Sequence, residues 1–159
     1  RSPSRGLGDV YKRQAYHELM IQDNELARMA AAKAWSTWEA HASTLHPDTR
    51  LIKHFSDGGR AHARCLIATH YFRNQCFLEP EQLLKNASVL KDIPGIIVHG
   101  RFDCVSPLDN AHQLRKAWPT SQLYIVREAG HSATEPAMID ALIRATRDMA
   151  LRFEADFHV

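Results

Sequence analysis

The sequence predicts an α/β fold, in which an all-helical region precedes part of a parallel sheet. Residues 15–90 repeat apolar side chains at three- and four-residue spacing and contain no strand signal. Residues 91–159 then alternate strand, helix, strand and helix, the order typical of a parallel sheet. Because both predicted strands are apolar on two faces, they require neighbours on each side, and two strands alone make a poor sheet. We therefore expect an incomplete domain.

The composition is that of an ordinary globular chain. Its 159 residues are 45% apolar and 24% charged, with a formal net charge of +2 from interspersed acidic and basic residues. This balance argues against nucleic-acid or membrane-surface binding as the main function. No apolar stretch approaches the ~20 residues that a membrane span needs, so the chain is predicted to be soluble.

The cysteines and histidines provide no metal or disulfide motif. Cys65, Cys76 and Cys104 are an odd number without CxxC spacing, which favours a reducing, cytoplasmic location. Ten histidines are present, but none belongs to an HExxH motif. Five of them are scattered through the helical half: His41, His46, His54, His62 and His70. The prediction is therefore no metal site.

The first fourteen residues differ in character from the rest of the chain. They contain glycines, a proline and four basic residues, with almost no apolar periodicity and no apolar core of a signal peptide. We interpret residues 1–14 as a disordered or extraneous segment. The expected organisation is then a helical region over residues 15–90 and a strand-containing part over residues 91–159.

Three helical runs are predicted in the first part. The first extends from Tyr16 to about residue 42, with Asp23 or Asn24 able to cap a helix, and ends before a His-Pro-Asp break. The second covers about residues 60–72. The third begins after Pro80 and continues to about residue 90.

The second part contains the predicted strands. A short β-branched run at residues 93–100 and a second at 122–126 are the strand candidates. A helix over residues 110–118 lies between them, and Pro136 opens a final helix with one apolar face.

Two polar loops follow the predicted strands at their carboxyl ends, where open α/β sheets bind their ligands. The first loop contains Asp103 and the second contains His131. If they meet, Asp103 accepts a hydrogen bond from one ring nitrogen of His131, and the other nitrogen is available to take a proton from a nucleophile. Each residue alone is weak support, but the order Asp then His, each after a strand, matches the end of a Ser…Asp…His series.

A family resemblance makes this reading more specific. The stretch IPGIIVHGRFDCVSPLDNAHQLRKAWP, followed by LYIVREAGHSATEP, resembles the C-terminal part of proline iminopeptidases. These are serine peptidases of the α/β-hydrolase fold, and AAAKAWSTWEA and HYFRNQCFLEPEQLL are similar to their helical cap. The resemblance implies the C-terminal part of an α/β-hydrolase fold preceded by a cap region, with Asp103 as the triad carboxylate and His131 as the general base.

The nucleophile of that family is missing from the sequence. No Gly-x-Ser-x-Gly motif occurs in the 159 residues, and relatives carry it, with the oxyanion loop, upstream of the part matched here. The resemblance therefore implies a fragment with little or no activity alone. No cofactor is implied, because serine hydrolysis needs none.

The resemblance also implies a substrate, a peptide with an N-terminal proline. Cap acids of the family bind the free amino group, and Glu39 falls where one such acid lies. The position of a second cap acid holds Ala68, which weakens the implied amine recognition. Tyr71 and Phe72 are candidates for substrate contact, whereas Trp35, Trp38 and Trp118 are interpreted as packing residues.

Two alternatives remain open from the sequence. A related esterase or amidase would keep the fold and lose recognition of the amine. A non-catalytic helical binding module would need neither Asp103 nor His131 for its function. The oligomeric state is not determined by the sequence.

Overall fold

The computed structural model describes residues 7–157, in which a helical region is followed by two strands, each with a helix after it. In chain order the elements are α1 (Leu7–Ile21), α2 (Glu25–Ser43), α3 (Thr49–Phe55), α4 (Gly58–Arg73), a 3₁₀ turn (Gln75–Phe77), α5 (Gln82–Lys85), a second 3₁₀ turn (Ala87–Leu90), β1 (Gly95–Gly100), α6 (Leu108–Ala117), β2 (Ser121–Val126) and α7 (Pro136–Phe157). The predicted order of helical region, strand, helix, strand and helix is confirmed.

The chain divides into two compact units. The helical unit comprises the residues up to His41 together with Asp48–Pro80, and the sheet unit comprises Ala42–Pro47 together with the residues from Glu81 onward. The sequence places the boundary after residue 90, ten residues later than the structure does. The short stretch Ala42–Pro47 joins the sheet unit because its backbone is hydrogen bonded to the loop that follows β2.

The helical unit is built around small and apolar side chains. Met20, Ala31, Ala32 and Cys65 are almost fully buried, with Trp35 and Ala61 in the same cluster. Alanine favours the helix and allows neighbouring helices to approach closely. The core of this unit therefore depends on close helix packing more than on large aliphatic side chains.

His17 is a buried polar member of the helical unit. Its Nδ1 lies 3.1 Å from the hydroxyl oxygen of Thr69. Burial lowers the pKa of His17 below its ordinary value, and the positive charges of Arg73 and of His70, when protonated, lower that pKa further. His17 is thus a neutral hydrogen-bonding group in the core.

The helix boundaries differ from the prediction near the beginning of the chain. The predicted helix from Tyr16 to residue 42 is two helices, separated at residues 22–24, and α1 begins at Leu7. Residues 7–14 are therefore helical and not disordered, which leaves open the alternative that the segment is extraneous. Residues 1–6 lie outside the described residues. Asn24 caps α2 as predicted, because its Oδ1 accepts a hydrogen bond from the amide of Ala27 at 3.1 Å.

The other differences have local causes. Helix α3 was not predicted; it forms because Asp48 Oδ1 accepts the amides of Arg50 and Leu51 at 2.8 and 3.2 Å, so the residue predicted to break one helix caps another. The third predicted run is reduced to the short α5 and a 3₁₀ turn. Glu81, which precedes α5, has a left-handed backbone with a φ of 60°, so this helix cannot begin before Gln82.

The sheet unit has two parallel strands in direct register. Gly95 lies opposite Ser121, and Gly100 lies opposite Val126 at the other end. Helices α6 and α7 pack against the strands. Residues 96–99 of β1 are only half-buried, although the sequence predicts them to be buried on both faces.

Helix α7 also leaves part of its apolar face exposed. Met138 and Ala145 are buried, whereas Ile139 and Ile143 are 44% and 50% exposed. Within residues 7–157 neither strand has a second neighbour. Two strands with half-buried faces and an incompletely covered helix make this unit an incomplete α/β domain, as the sequence predicts.

The cysteines are unpaired, and no helix among the described residues is both long and apolar enough to cross a membrane. Cys65 is buried, whereas Cys76 and Cys104 are exposed. Burial raises the pKa of the Cys65 thiol, because the thiolate is poorly solvated there.

We predict that iodoacetamide labels Cys76 and Cys104 in the native protein and spares Cys65, since the thiolate is the reacting form. Mass spectrometry of the labelled protein measures this, and denaturant should expose the third thiol. Labelling of Cys65 at the rate of the other two in native buffer would contradict the described core.

The end of β1 leaves no space for a side chain. A Cβ at Gly100 would overlap the carbonyl oxygen of Gly130 and lie 2.7 Å from that of Ala129. Gly100→Ala is therefore expected to destabilise the protein by about 2–4 kcal/mol, because backbone must move. Urea unfolding measures the change in the free energy of unfolding.

Gly59→Ala is the control for that variant. A Cβ at Gly59, inside α4, meets no atom within 4 Å. Its expected effect is a small gain in stability, about 0.5–1 kcal/mol, because alanine restricts the unfolded chain. Equal effects of the two substitutions would show that the two strand-end loops are not in contact.

Candidate active site

Asp103 lies in the turn that follows β1, and its own side chain shapes that turn. The carboxylate Oδ1 accepts the backbone amides of Val105 at 2.9 Å and Ser106 at 2.7 Å. Aspartate favours such turns because its short side chain reaches the amides two and three residues later. The side chain is 5% exposed, so the turn fixes a buried carboxylate at the carboxyl end of the strand.

The second carboxylate oxygen of Asp103 contacts His131. The distance from Asp103 Oδ2 to His131 Nδ1 is 2.9 Å, which is the contact predicted from the order of the two loops. A carboxylate only accepts hydrogen bonds, so Nδ1 carries the proton and Nε2 is the basic nitrogen of the neutral ring. The imidazole is 44% exposed. The arrangement orients the ring and makes Nε2 its proton acceptor.

His99 is a third member of this group that the sequence reasoning missed. Its Nε2 donates to the carbonyl oxygen of Ser106 at 2.9 Å and lies 3.6 Å from Asp103 Oδ2. The side chain, on β1, is 14% exposed. It supports the turn that holds Asp103. A histidine inside a β-branched run gives no spacing signal, so only the fold could identify it.

Backbone hydrogen bonds tie the two strand-end loops together. The amide of Arg101 donates to the carbonyl of Val126 at 2.9 Å, and the amide of Phe102 donates to that of Ala129 at 3.0 Å. These bonds continue the parallel pairing beyond the strands. They bring the turn of Asp103 beside the loop of His131.

Glu39, the predicted amine-binding acid, is engaged within the helical unit. Its Oε2 is 2.7 Å from a terminal guanidinium nitrogen of Arg64, and the other terminal nitrogen donates to Ser36 Oγ at 3.0 Å. The guanidinium also lies 4.1 Å above the ring of Phe55. The Glu39 side chain is 23% exposed, and its charge is already compensated by the Arg64 guanidinium.

The aromatic candidates also belong to the helical unit. Tyr71 is 49% exposed and packs edge-on against Phe77, with ring centroids 5.4 Å apart. Phe72 is 38% exposed, and its ring centroid is 6.3 Å from that of Trp35. Trp35 is buried, and Trp38, although 63% exposed, packs edge-on against Trp35 with ring centroids 5.9 Å apart.

Within residues 7–157, no group of three His, Cys, Asp or Glu side chains is arranged to hold a metal ion. The polar cluster at the sheet edge consists of one carboxylate and two imidazoles. Such a cluster can orient an imidazole ring and transfer a proton.

The fold, with its parallel strand pair and the aspartate and histidine joined beyond the carboxyl ends of the strands, is that of part of an α/β-hydrolase. The solved structure of an esterase from Exiguobacterium antarcticum shares this fold, with a TM-score of 0.52 over 91% of this chain and 48% of that one, at 18% identity. No protein-family model matches the sequence.

The curated proteins to which this chain is similar are proline iminopeptidases. The chain is 50% identical over 137 residues to a proline iminopeptidase of Xanthomonas citri, covering 86% of this chain and 44% of that protein. It is 37% identical over 136 residues to one of Arabidopsis thaliana, covering 85% and 36%. The chain is thus similar to the C-terminal portion of proline iminopeptidases and spans less than half of their length.

We predict that Asp103→Asn reverses the tautomer of His131. The amides of Val105 and Ser106 require an acceptor, so they should hold the carbonyl oxygen of the Asn side chain. The NH₂ group of that side chain then faces the ring of His131. Nδ1 must then accept, and the proton moves to Nε2. Nitrogen-15 NMR of the two ring nitrogens, at a pH where the imidazole is neutral, distinguishes the tautomers.

Asp109→Asn serves as the matched control, because Asp109 is an exposed carboxylate in the first turn of α6. The control should retain the wild-type tautomer. An unchanged tautomer in Asp103→Asn would show that Asp103 does not orient the ring.

Proposed function

We propose that the chain is part of a prolyl aminopeptidase, a serine hydrolase that releases proline from the amino terminus of peptides. The observation that carries the proposal is the 2.9 Å hydrogen bond between Asp103 and His131 beyond the carboxyl end of the strand pair. Proline iminopeptidase relatives at up to 50% identity supply the substrate class.

In this mechanism His131 is the general base. Nε2 takes the proton of a serine hydroxyl as the oxygen attacks the prolyl carbonyl, and later gives it to the leaving amine. Asp103 holds Nδ1–H and stabilises the imidazolium formed in both steps. Water then releases proline from the acyl-enzyme by the same proton transfers.

The nucleophile and the oxyanion donors are proposed to come from a part of the parent protein that is not among these 159 residues. The sequence contains no Gly-x-Ser-x-Gly, and the curated relatives are more than twice as long as the matched part. A base without its nucleophile does not complete the reaction. The 159-residue chain alone is therefore expected to show no turnover.

The substrate amine is proposed to meet the carboxylate of Glu39, with Tyr71 and Phe72 offering apolar surface to a proline ring. Because Arg64 already pairs with Glu39 at 2.7 Å, an incoming ammonium must share that carboxylate. Ala68 adds no second charge. Amine recognition by this cap is therefore expected to be weaker than that of a cap with two available acids.

A cytoplasmic location is proposed because the cysteines form no disulfide bond. All three are unpaired, which suits a reducing compartment.

We predict that His131→Ala in the full-length protein lowers kcat for a prolyl anilide by at least about a thousandfold, because the serine loses its base. Release of the aniline measures turnover, and thermal unfolding confirms that the variant folds. His112→Ala, which removes an exposed histidine on α6, should retain wild-type kinetics. Turnover by His131→Ala comparable with wild type would reject the assignment.

The same assay distinguishes a peptidase that recognises the free amino group of the substrate from an amidase that does not. N-acetylation of the prolyl anilide removes the charge that Glu39 would bind. Loss of turnover on acetylation supports an aminopeptidase, whereas equal turnover of both substrates would exclude one.

A further inference from the structure

The carboxylate of Glu135 joins two separate stretches of backbone near His131. Its Oε1 accepts the amide of Gly130 at 2.6 Å, and its Oε2 accepts the amide of Leu45 at 2.8 Å. Hydrogen bonds to an ionised acceptor are about twice as strong as neutral ones. Glu135 is only partly exposed, so solvent competes less for these two bonds than it would at the surface.

A second tie runs between the same two stretches. The carbonyl oxygen of Ser43 accepts the amides of His131 at 2.9 Å and Ser132 at 2.7 Å. Three successive amides, from residue 130 to residue 132, are therefore all bound either to Glu135 or to Ser43. The backbone that carries the imidazole is fixed on both sides of its Cα atom.

Gly130 permits this close approach. A Cβ there would lie 3.1 Å from the amide nitrogen of Leu45, 3.1 Å from the carbonyl oxygen of Ser43 and 3.2 Å from Glu135 Oε1. These distances are tighter than ordinary van der Waals contact. A side chain at residue 130 would force the stretch containing Ser43 and Leu45 away from the loop.

We propose that Glu135 is a positioning residue for His131. The imidazole is 44% exposed, so packing contributes little to its orientation, and its ring must reach Asp103 from the backbone that Glu135 and Ser43 fix. Displacement of that backbone would lengthen the contact with Asp103 and misplace Nε2. The inference rests on the proposed role of His131 as general base.

Glu135→Gln tests the proposal with little change of volume. Glutamine keeps one acceptor oxygen but presents an NH₂ group to the second amide, so either Gly130 or Leu45 loses its partner. The matched control is Glu128→Gln, because Glu128 is an exposed carboxylate on the same loop.

The first measurement is NMR exchange of the His131 Nδ1 proton with water in the 159-residue chain. Glu135→Gln should accelerate this exchange about tenfold or more, since the proton is protected only while the ring contacts Asp103. Exchange of the β1 amides should not change in Glu135→Gln. In Glu128→Gln, neither the Nδ1 proton nor the β1 amides should exchange faster than in wild type. Faster exchange of the His131 Nδ1 proton together with all the β1 amides would indicate general destabilisation and would overturn the proposal.

The second measurement is the kinetics of the full-length protein. A misplaced base should lower kcat about 10- to 100-fold with KM within about twofold, because substrate binding does not use Glu135. Gly130→Ala should give the same pattern, since it separates the same two stretches. Wild-type kcat in Glu135→Gln would overturn the proposal.

The two measurements also separate this inference from the proposed function. If the full-length wild-type protein does not release proline, the proposed function fails. The exchange of the Nδ1 proton still decides whether Glu135 positions His131, because it requires only the contact between His131 and Asp103.

Discussion

The carboxylate of Asp103 is the constraint on which the candidate site depends. One oxygen accepts two amides of its own turn, and the other accepts the ring proton of His131, 28 residues later in the chain. A side chain that is 5% exposed must satisfy its charge with protein donors. Asp103 therefore shapes the turn after β1 and selects the basic nitrogen of the ring by the same set of hydrogen bonds.

The contact requires the two strands to end side by side. Parallel pairing in register places Gly100 opposite Val126, and the lack of a side chain at Gly100 lets the following loops touch. The stretch containing Ser43 then holds the second loop from the other side. A site of this kind is a property of the sheet and its connections, which explains why it is present although the described part of this unit has two strands.

Local patterns predicted the strands and the final helix, because β-branched runs and an apolar helix face are signals within a few residues. The order of Asp103 and His131 after successive strands also predicted their contact. Sequence reasoning missed the partners of Glu135 and Glu39. Glu135 and Leu45 are 90 residues apart, and Arg64 is 25 residues from Glu39, so no local pattern connects them.

A crystal structure of the full-length protein tests the account most directly. The account predicts that Asp103 Oδ2 and His131 Nδ1 remain within hydrogen-bonding distance, and that a serine hydroxyl from the additional sequence faces His131 Nε2. An imidazole turned away from Asp103, or the absence of any nucleophilic hydroxyl beside Nε2, would contradict it.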